Sequence, residues 1–248
     1  MIPKKIHYCW FGGKSLPKSA KKCIASWKRY LPDYEIIRWD ESNFDVNSIR
    51  YTSEAYQKKK YAFVSDFARF KILYDEGGLY FDTDVEVIRN MDDIIAAGPF
   101  MGCEHKFYPG SSAEELGVNP GLGIGAEPGH PFYREMIEMY SREHFILPKG
   151  EQSKDNVVTY TSGKLAKRGL VNTSNVQEVV GIHIYPVDYF CPISTDDGKL
   201  RITANTRSIH HYDQSWQSPV RKYGRKILLK LGGVRIKNML KPILIGDK

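Results

Sequence analysis

The sequence predicts an α/β protein with a mostly parallel central sheet, and three observations carry this prediction. Short apolar segments with strand-like composition alternate along the chain with segments of helical periodicity. A length of 248 residues is enough to bury the core of one large domain. The composition, 42% hydrophobic and 26% charged, is typical of a globular protein, so neither a disordered nor a fibrous chain is expected.

The individual elements follow from local patterns. Strands are predicted over residues 4–10, 34–39, 77–87, 99–104 and 182–186. Helices are predicted over residues 16–30, 62–74, 132–144 and 157–168. The helix over 62–74 rests on aromatic residues at helical spacing, and the Gly77-Gly78 pair ends it. The polar, glycine-rich segment 111–131 is predicted to be a loop around a short strand. In a sheet of this kind the ligand is expected beyond the carboxyl ends of the strands.

Charge is unevenly distributed along the chain. Residues 217–248 hold nine of the 36 Lys and Arg residues with Asp247 as the single acid, so the preceding 216 residues carry 27 basic and 28 acidic groups. A nearly neutral body argues against a nucleic-acid-binding protein. We find no run long enough to span a membrane and no signal peptide, and the four scattered cysteines lack metal-ligand spacing. These features predict a cytoplasmic protein with reduced thiols.

Two aspartates, Asp82 and Asp84, follow the apolar strand segment GGLYF. In one continuous extended strand they would point to the same side, about 6.5–7 Å apart. Two neighbouring carboxylates repel each other unless a cation lies between them, which indicates a divalent metal that can also bind phosphate oxygens. Two alternative interpretations fit the same sequence pattern. The acids can simply be solvated at a strand end, or Asp82 can be the nucleophile of a haloacid-dehalogenase-like phosphatase.

Three other segments carry side chains suited to the same chemistry. Asp66 and Arg69 are three residues apart on the predicted helix, close enough to pair. Trp10 follows the first strand beside a glycine turn, where an aromatic ring can stack on a nucleobase. The segment IHHYDQSW contains adjacent histidines that point in different directions, so we expect at most one of His210 and His211 to bind a metal.

Taken together, these segments resemble glycosyltransferase family 32, the DXD-containing sugar transferases of bacterial capsule and lipopolysaccharide synthesis. The resemblance covers roughly residues 2–216 and rests on IPKKIHYCWFGG, PDYEIIRWDESNFD, AFVSDFARFKILYDEGGLYFDTDVEV and IHHYDQSW, in that order. The chain is also similar to the glucosylating domains of large clostridial toxins. The resemblance implies a GT-A fold, a Rossmann-like arrangement that binds nucleotide sugars, with a UDP-sugar donor and Mn²⁺ or Mg²⁺.

The resemblance also implies roles for individual residues. Trp10 would stack on the uracil of the donor, and the helical residues Ser65, Asp66 and Arg69 would hold the ribose and the sugar. The Ser215-Trp216 pair would contact the diphosphate and the departing oxygen.

The metal side of the site is implied in the same way. Asp82 and Asp84 would bind ribose and metal, with Asp84 as the direct ligand, and His210 or His211 would complete the metal site. The residues expected to take part in the reaction itself are Asp82, Asp84, Arg69 and Trp216.

The expected activity is transfer of a hexose or N-acetylhexosamine, with galactose as our choice, from UDP to a hydroxyl group of a surface polysaccharide or lipid-linked glycan. The family implies retention of anomeric configuration. We expect residues 1–216 to form the transferase domain and 217–248 a basic amphipathic helical tail. Such a tail can lie on anionic lipid, which predicts a peripheral position on the inner face of the cytoplasmic membrane.

Overall fold

The computed structural model of the chain describes residues 1–148, 150–153, 155–194 and 197–213. The predicted tail, residues 217–248, lies outside the described residues. The helices are α1 (Lys18–Tyr30), α2 (Arg50–Gln57), α3 (Tyr61–Glu76), α4 (Asp92–Ala97), a 3-10 turn (Ala113–Leu116), α5 (Pro131–Tyr140), α6 (Val157–Ala166) and α7 (Val187–Phe190). In the part of the chain described, no helix combines the length and apolar character that crossing a bilayer requires.

The strands form one large and one small sheet. They are β1 (Lys5–Cys9), β2 (Glu35–Trp39), β3 (Gly78–Tyr80), β4 (Val85–Val87), β5 (Phe100–Gly102), β6 (Ile124–Ala126), β7 (Gln177–Val179), β8 (Ile182–Tyr185) and β9 (Ser208–His210). The large sheet has the order β2-β1-β3-β6-β5-β8-β7, and β4 pairs with β9 separately. Only β6 and β7 run against the other five strands of the large sheet. The predicted α/β class with a mostly parallel central sheet is therefore confirmed.

The predicted single strand over residues 77–87 is wrong. The segment is divided into β3, which lies in the large sheet, and β4, which pairs with β9. Between them the Val85 amide donates to the Asp82 carbonyl at 3.0 Å and closes a turn through Thr83 and Asp84. The two aspartates therefore lie at a turn between two sheets, where the simple alternation of a strand does not apply.

The other predicted strands and helices are present, with ends that differ by at most four residues. Several short elements were not predicted: α2, α4, α7, β7 and β9. The predicted loop over 111–131 contains the short strand β6 and the 3-10 turn.

The large sheet lies between two hydrophobic layers. Side chains alternate along each strand, so that Tyr80 faces the first layer and Leu79 faces the second. The first layer is built mainly on α2, α3, α5 and α6, and the second on α1, α4 and α7. In the second layer, buried Trp27 of α1 donates its indole N–H to the Val85 carbonyl at 2.7 Å. This bond anchors β4 under α1 and so fixes the far side of the aspartate turn.

A glycine pair joins α3 to β3. Gly77 and Gly78 have φ values of 63° and 98°, which glycine adopts readily and other residues rarely do. A Cβ on Gly78 would come within 2.7 Å of the Lys5 carbonyl oxygen. The tight reversal sends α3 back along β3, so that the middle of α3 lies beside the residues that follow the strand.

Candidate active site

Several of the predicted site residues lie at the carboxyl edge of the large sheet. β1 and β3 are parallel neighbours, with Ile6 opposite Leu79 and His7 opposite Tyr80. Trp10 directly follows β1, and Asp82 follows β3. Carboxyl ends of parallel strands meet at one edge, which is where ligands of open α/β sheets bind. The fold thus brings together groups that are far apart in sequence.

Asp82 is held by two donors on one oxygen. Arg69 Nη2 lies 3.1 Å from Asp82 Oδ1, and the Tyr80 hydroxyl donates to the same oxygen at 3.0 Å. The guanidinium of Arg69 also lies over the Tyr80 ring, 5.1 Å from its centroid. The Asp82 side chain keeps 30% of its surface exposed, whereas that of Arg69 keeps 3%. Asp82 is therefore a partly open carboxylate with a fixed orientation.

Arg69 connects Asp82 to a second, buried carboxylate. Its Nη2 atom is 3.2 Å from Asp66 Oδ1, one helical turn away on α3. Burial raises the pKa of Asp66 to about 6, although the charge of Arg69 opposes this. Burial lowers the pKa of Arg69, but the neighbouring acidic groups, Asp82 first, outweigh it and raise the pKa above its usual value. Arg69 therefore carries a permanent positive charge behind the aspartate turn.

Asp84 faces the C-terminal end of the described chain. His210 Nε2 lies 3.2 Å from Asp84 Oδ1, and the Asp213 amide donates to Asp84 Oδ2 at 2.8 Å. Burial raises the pKa of Asp84, but the contact with His210 and the hydrogen bond from Asp213 lower it below its usual value. Conversely, burial lowers the pKa of His210, while attraction to Asp84 raises it to a net value above normal. Each of the two groups therefore stabilises the charged form of the other.

Three side chains converge on a common point. Asp82, Asp84 and His210 each offer one ligand atom, and these atoms lie within 4.8 Å of one another. His211, in contrast, points away and places its Nε2 atom 2.8 Å from Glu86 Oε2. Glu86 also pairs with Lys22 at 3.0 Å. The geometry therefore brings His210, and not His211, to the two aspartates.

The donor set suits a divalent cation. Two carboxylates and one imidazole are ligands that Mn²⁺ accepts, and Mg²⁺ favours the carboxylates among them. The carboxylates would supply the negative charge, and His210 would bind as the neutral ring. His210 is 6% exposed, and its Nδ1 atom has no hydrogen-bond partner among the described residues. A buried imidazole whose Nε2 atom lies beside an acid can serve as a metal ligand when a cation takes the place of the proton between them.

The remaining predicted residues are placed as follows. Trp10 is half-buried, and its indole N–H donates to the Lys14 carbonyl at 2.6 Å, which fixes the ring at the sheet edge. Ser65 is half-buried on α3 and donates to the Tyr61 carbonyl at 3.2 Å. Ser215 and Trp216 lie outside the described residues, so the structure does not place them.

The structure adds residues that the sequence did not single out. Tyr80 and Gly121 contact Asp82, Tyr212 packs on His210, and Asn119 and Glu104 connect these two groups. Gly121 is packed so closely against Asp82 that a Cβ there would overlap the carboxylate. The glycine-rich composition of 117–125 was the one available signal, because glycine often marks a close approach of backbone to another group. Glu104 and Tyr212 belong to the site only through contacts between segments that are far apart in sequence, and such contacts produce no local sequence pattern.

Comparisons with known proteins identify glycosyltransferases among the proteins similar to this chain. The family model described as the glycosyltransferase sugar-binding region containing DXD motif matches residues 17–101, which include Arg69, Asp82 and Asp84. An uncharacterized glycosyltransferase, L373, of Acanthamoeba polyphaga mimivirus is 26% identical over 218 residues, covering 79% of this chain and 80% of the relative. Inositol phosphoceramide mannosyltransferase 1 of Schizosaccharomyces pombe is 28% identical over 152 residues, covering 57% of this chain and 43% of the relative.

Among solved structures, the galactosyltransferase LgtC, in complex with donor and acceptor sugar analogues, is similar with a TM-score of 0.47. The identity is 12%, over 92% of this chain and 94% of LgtC. The chain thus spans most of the mimivirus relative and less than half of the fission-yeast mannosyltransferase. The resemblance inferred from the motifs is confirmed by the family match and the curated relatives. Residues 17–101 match the DXD-containing sugar-binding region, and the chain is a nucleotide-sugar-dependent glycosyltransferase.

Proposed function

We propose that the chain transfers a hexose or N-acetylhexosamine from UDP to a hydroxyl group of a glycan acceptor, using Mn²⁺ or Mg²⁺ bound by Asp82, Asp84 and His210. The observation that carries the proposal is the convergence of these three side chains within 4.8 Å. It occurs at the sheet edge where Trp10 and Arg69 also lie.

Each residue has a definite task in this proposal. The bound cation supplies positive charge that neutralises the departing diphosphate. Asp84 and His210 hold the cation, and the Asp213 amide keeps the Asp84 carboxylate oriented. Arg69 fixes Asp82 and adds a positive charge that needs no protonation step, because its guanidinium stays charged. Trp10 provides a flat face for the uracil.

The donor sugar and the stereochemistry are further parts of the proposal. We propose galactose as the sugar and retention as the outcome. The Schizosaccharomyces pombe relative is a mannosyltransferase by name, so a nucleotide-activated mannose, tested as GDP-mannose, is the competing donor. We propose that the acceptor belongs to a surface polysaccharide or is a lipid-linked glycan.

A panel of donors tests the activity. UDP-galactose, UDP-glucose, their N-acetylated forms and GDP-mannose are each incubated with and without Mn²⁺, and released nucleoside diphosphate and free phosphate are measured separately. We expect Mn²⁺-dependent UDP release that falls at least about 100-fold in Asp84→Asn. Asp75→Asn, which removes a surface ion pair with Lys71, is the matched control and leaves the rate unchanged. Equal rates in both variants would contradict the proposed site.

The phosphatase alternative gains no support. Nothing in the comparisons points to that activity. Direct release of inorganic phosphate from a donor of the panel would nevertheless support the phosphatase activity.

The basic tail carries a separate proposal about location. We propose that residues 217–248 bring the enzyme to an anionic membrane surface, where a lipid-linked acceptor would lie. The support is the sequence alone, with nine basic residues and one acid in this segment. Each cation near such a surface adds about 1 kcal/mol. Deletion of residues 218–248 is expected to abolish binding to anionic vesicles and to spare UDP release. Vesicle binding by the truncated chain would contradict this proposal.

A further inference from the structure

Glu104 lies behind the cluster of Asp82, Asp84 and His210 and has no role in the function proposed above. It follows β5, and its side chain is 17% exposed. One carboxylate oxygen, Oε2, accepts two hydrogen bonds, from Asn119 Nδ2 at 2.8 Å and from the Tyr212 hydroxyl at 3.2 Å. The partners are 15 and 108 residues away along the chain. A single oxygen thus joins the loop beside Asp82 to the C-terminal segment that carries His210.

The first connection runs from Glu104 to Asp82. Asn119 accepts the Gly121 amide on its Oδ1 atom at 2.7 Å, and the Gly121 carbonyl accepts the Asp82 amide at 3.3 Å. Gly121 also leaves no room for a Cβ between itself and the Asp82 carboxylate. A shift of Asn119 therefore moves Gly121 and with it both the backbone and the side chain of Asp82.

The second connection runs from Glu104 to His210 and Asp84. The Tyr212 ring packs edge-on against the His210 ring, with centroids 4.2 Å apart at 89°. The Tyr212 backbone has a φ of 50°, a left-handed conformation that tyrosine adopts rarely and that its surroundings must hold in place. The next residue, Asp213, donates its amide to Asp84. Fixing Tyr212 therefore fixes the His210 ring and the amide that orients Asp84.

We infer that Glu104 is a positioning residue, which sets the spacing between the aspartate turn and His210 by binding Asn119 and Tyr212 on one oxygen. The inference rests on the metal site of the proposed function and goes beyond it, since Glu104 is not one of the converging ligand groups. Residues that orient metal ligands through hydrogen bonds change metal affinity by about 10–100-fold when they are removed.

The test is Mn²⁺ affinity of the full-length chain, measured by isothermal titration calorimetry without donor, beside the thermal midpoint of each variant. Glu104→Ala removes both bonds. Glu104→Gln keeps an oxygen that can accept both, without the charge. The matched control is Glu54→Ala, because Glu54 is also a largely buried carboxylate, 20% exposed, that joins distant segments through the Ile146 amide at 2.9 Å. Asp84→Ala shows whether the measured ion occupies the proposed site.

We expect Glu104→Ala to weaken Mn²⁺ binding at least about 10-fold. We expect Glu104→Gln to stay within about threefold of the wild type, because it loses only the charge assistance of the two bonds. Glu54→Ala should lower the thermal midpoint and leave Mn²⁺ affinity unchanged. A Glu104→Ala chain that is destabilised like Glu54→Ala but binds Mn²⁺ within threefold of the wild type would overturn the inference. A Glu104→Gln chain as weak as Glu104→Ala would also overturn it.

If Glu104→Ala does not fold, Tyr212→Phe decides the question. It keeps the ring on His210 and removes only the hydroxyl that bonds to Glu104 and contacts Cys191 Sγ at 3.1 Å. Weaker Mn²⁺ binding in this variant supports the inference, and unchanged binding overturns it. Failure of the proposed function looks different, because Asp84→Ala would then bind Mn²⁺ as tightly as the wild type.

Discussion

Replacing Gly121 by alanine perturbs the Asp82 side chain through a single added methyl group. Gly121 is buried and does not have a positive φ, so its backbone accepts alanine without strain. The new Cβ would overlap Asp82 Oδ2 and lie 3.0 Å from Asn119 Oδ1. The carboxylate must move, and the bonds from Arg69 and Tyr80 to its other oxygen resist that movement.

The size of the effect follows from these contacts. An overpacked buried position costs about 1–3 kcal/mol. For a chain of this length each kcal/mol lowers the thermal midpoint by about 2–4 °C, which gives a fall of about 2–12 °C. The functional loss should be larger than the stability loss suggests, because a displacement of about 1 Å in a reacting constellation can reduce the rate about 100-fold.

The assay is Mn²⁺-dependent release of UDP together with the thermal midpoint. Gly163→Ala is the matched control, because Gly163 lies on α6 with no atom within 4 Å of the added Cβ. This control should keep full activity and gain up to about 1 kcal/mol in stability. Full activity in Gly121→Ala would refute the idea that the close packing of Gly121 fixes the position of the Asp82 carboxylate.

Three further predictions concern buried charged and titratable groups. Arg69→Gln leaves Asp66 buried without its charged partner and should lower the free energy of unfolding by about 3–5 kcal/mol in urea titrations. His7 is fully buried, and burial lowers its pKa from 6.5 to about 4. The folded state therefore resists the proton that the unfolded state accepts, so about 3 kcal/mol of stability is present above pH 6.5 and lost as the pH falls to 4. Finally, burial raises the pKa of all four thiols to about 12; they belong to Cys9, Cys23, Cys103 and Cys191. The native chain should therefore not react with Ellman's reagent at pH 8 until it is unfolded.

Each of these three predictions has a control variant or an outcome that would contradict it. Arg134→Gln removes a surface arginine 3.9 Å from Glu138 and should change stability little; an equal loss in both arginine variants would contradict the role of burial. His7→Gln should flatten the stability between pH 6.5 and 4, and an unchanged slope would assign the titration to another group. Rapid reaction of any thiol in the native chain would contradict its burial.

The fold could be predicted where a strong local pattern coincided with an element. α3 is marked by aromatic residues at helical spacing and by the glycine pair after it, and both predictions agree with the structure. The break between β3 and β4 could not be predicted, because GGLYFDTDVEV alternates like one strand. The turn forms because β4 is anchored to Trp27 and paired with β9, contacts that come from elsewhere in the chain.

In the candidate site too, residues in local patterns could be predicted, whereas those placed by distant contacts could not. Asp82, Asp84 and Arg69 stand out in sequence because acids after an apolar strand and an Asp–Arg pair on a helix are local patterns. Alternation indicated that only one of the two adjacent histidines could point inward but not which one. The pairing of β4 with β9 decides this, since it places His210 opposite Val85. A three-residue strand at the far end of the chain carries too little local signal to be predicted.

Locating the metal ion in a crystal gives the decisive test of the proposed site. Crystals of the full-length chain grown with UDP and Mn²⁺ would be measured near the manganese absorption edge, and an anomalous difference map would locate the ion. We expect one strong peak between Asp82, Asp84 and His210, within about 2.0–2.6 Å of an Asp84 carboxylate oxygen. A Mn²⁺ peak bound elsewhere, or none under conditions that support UDP release, would contradict it.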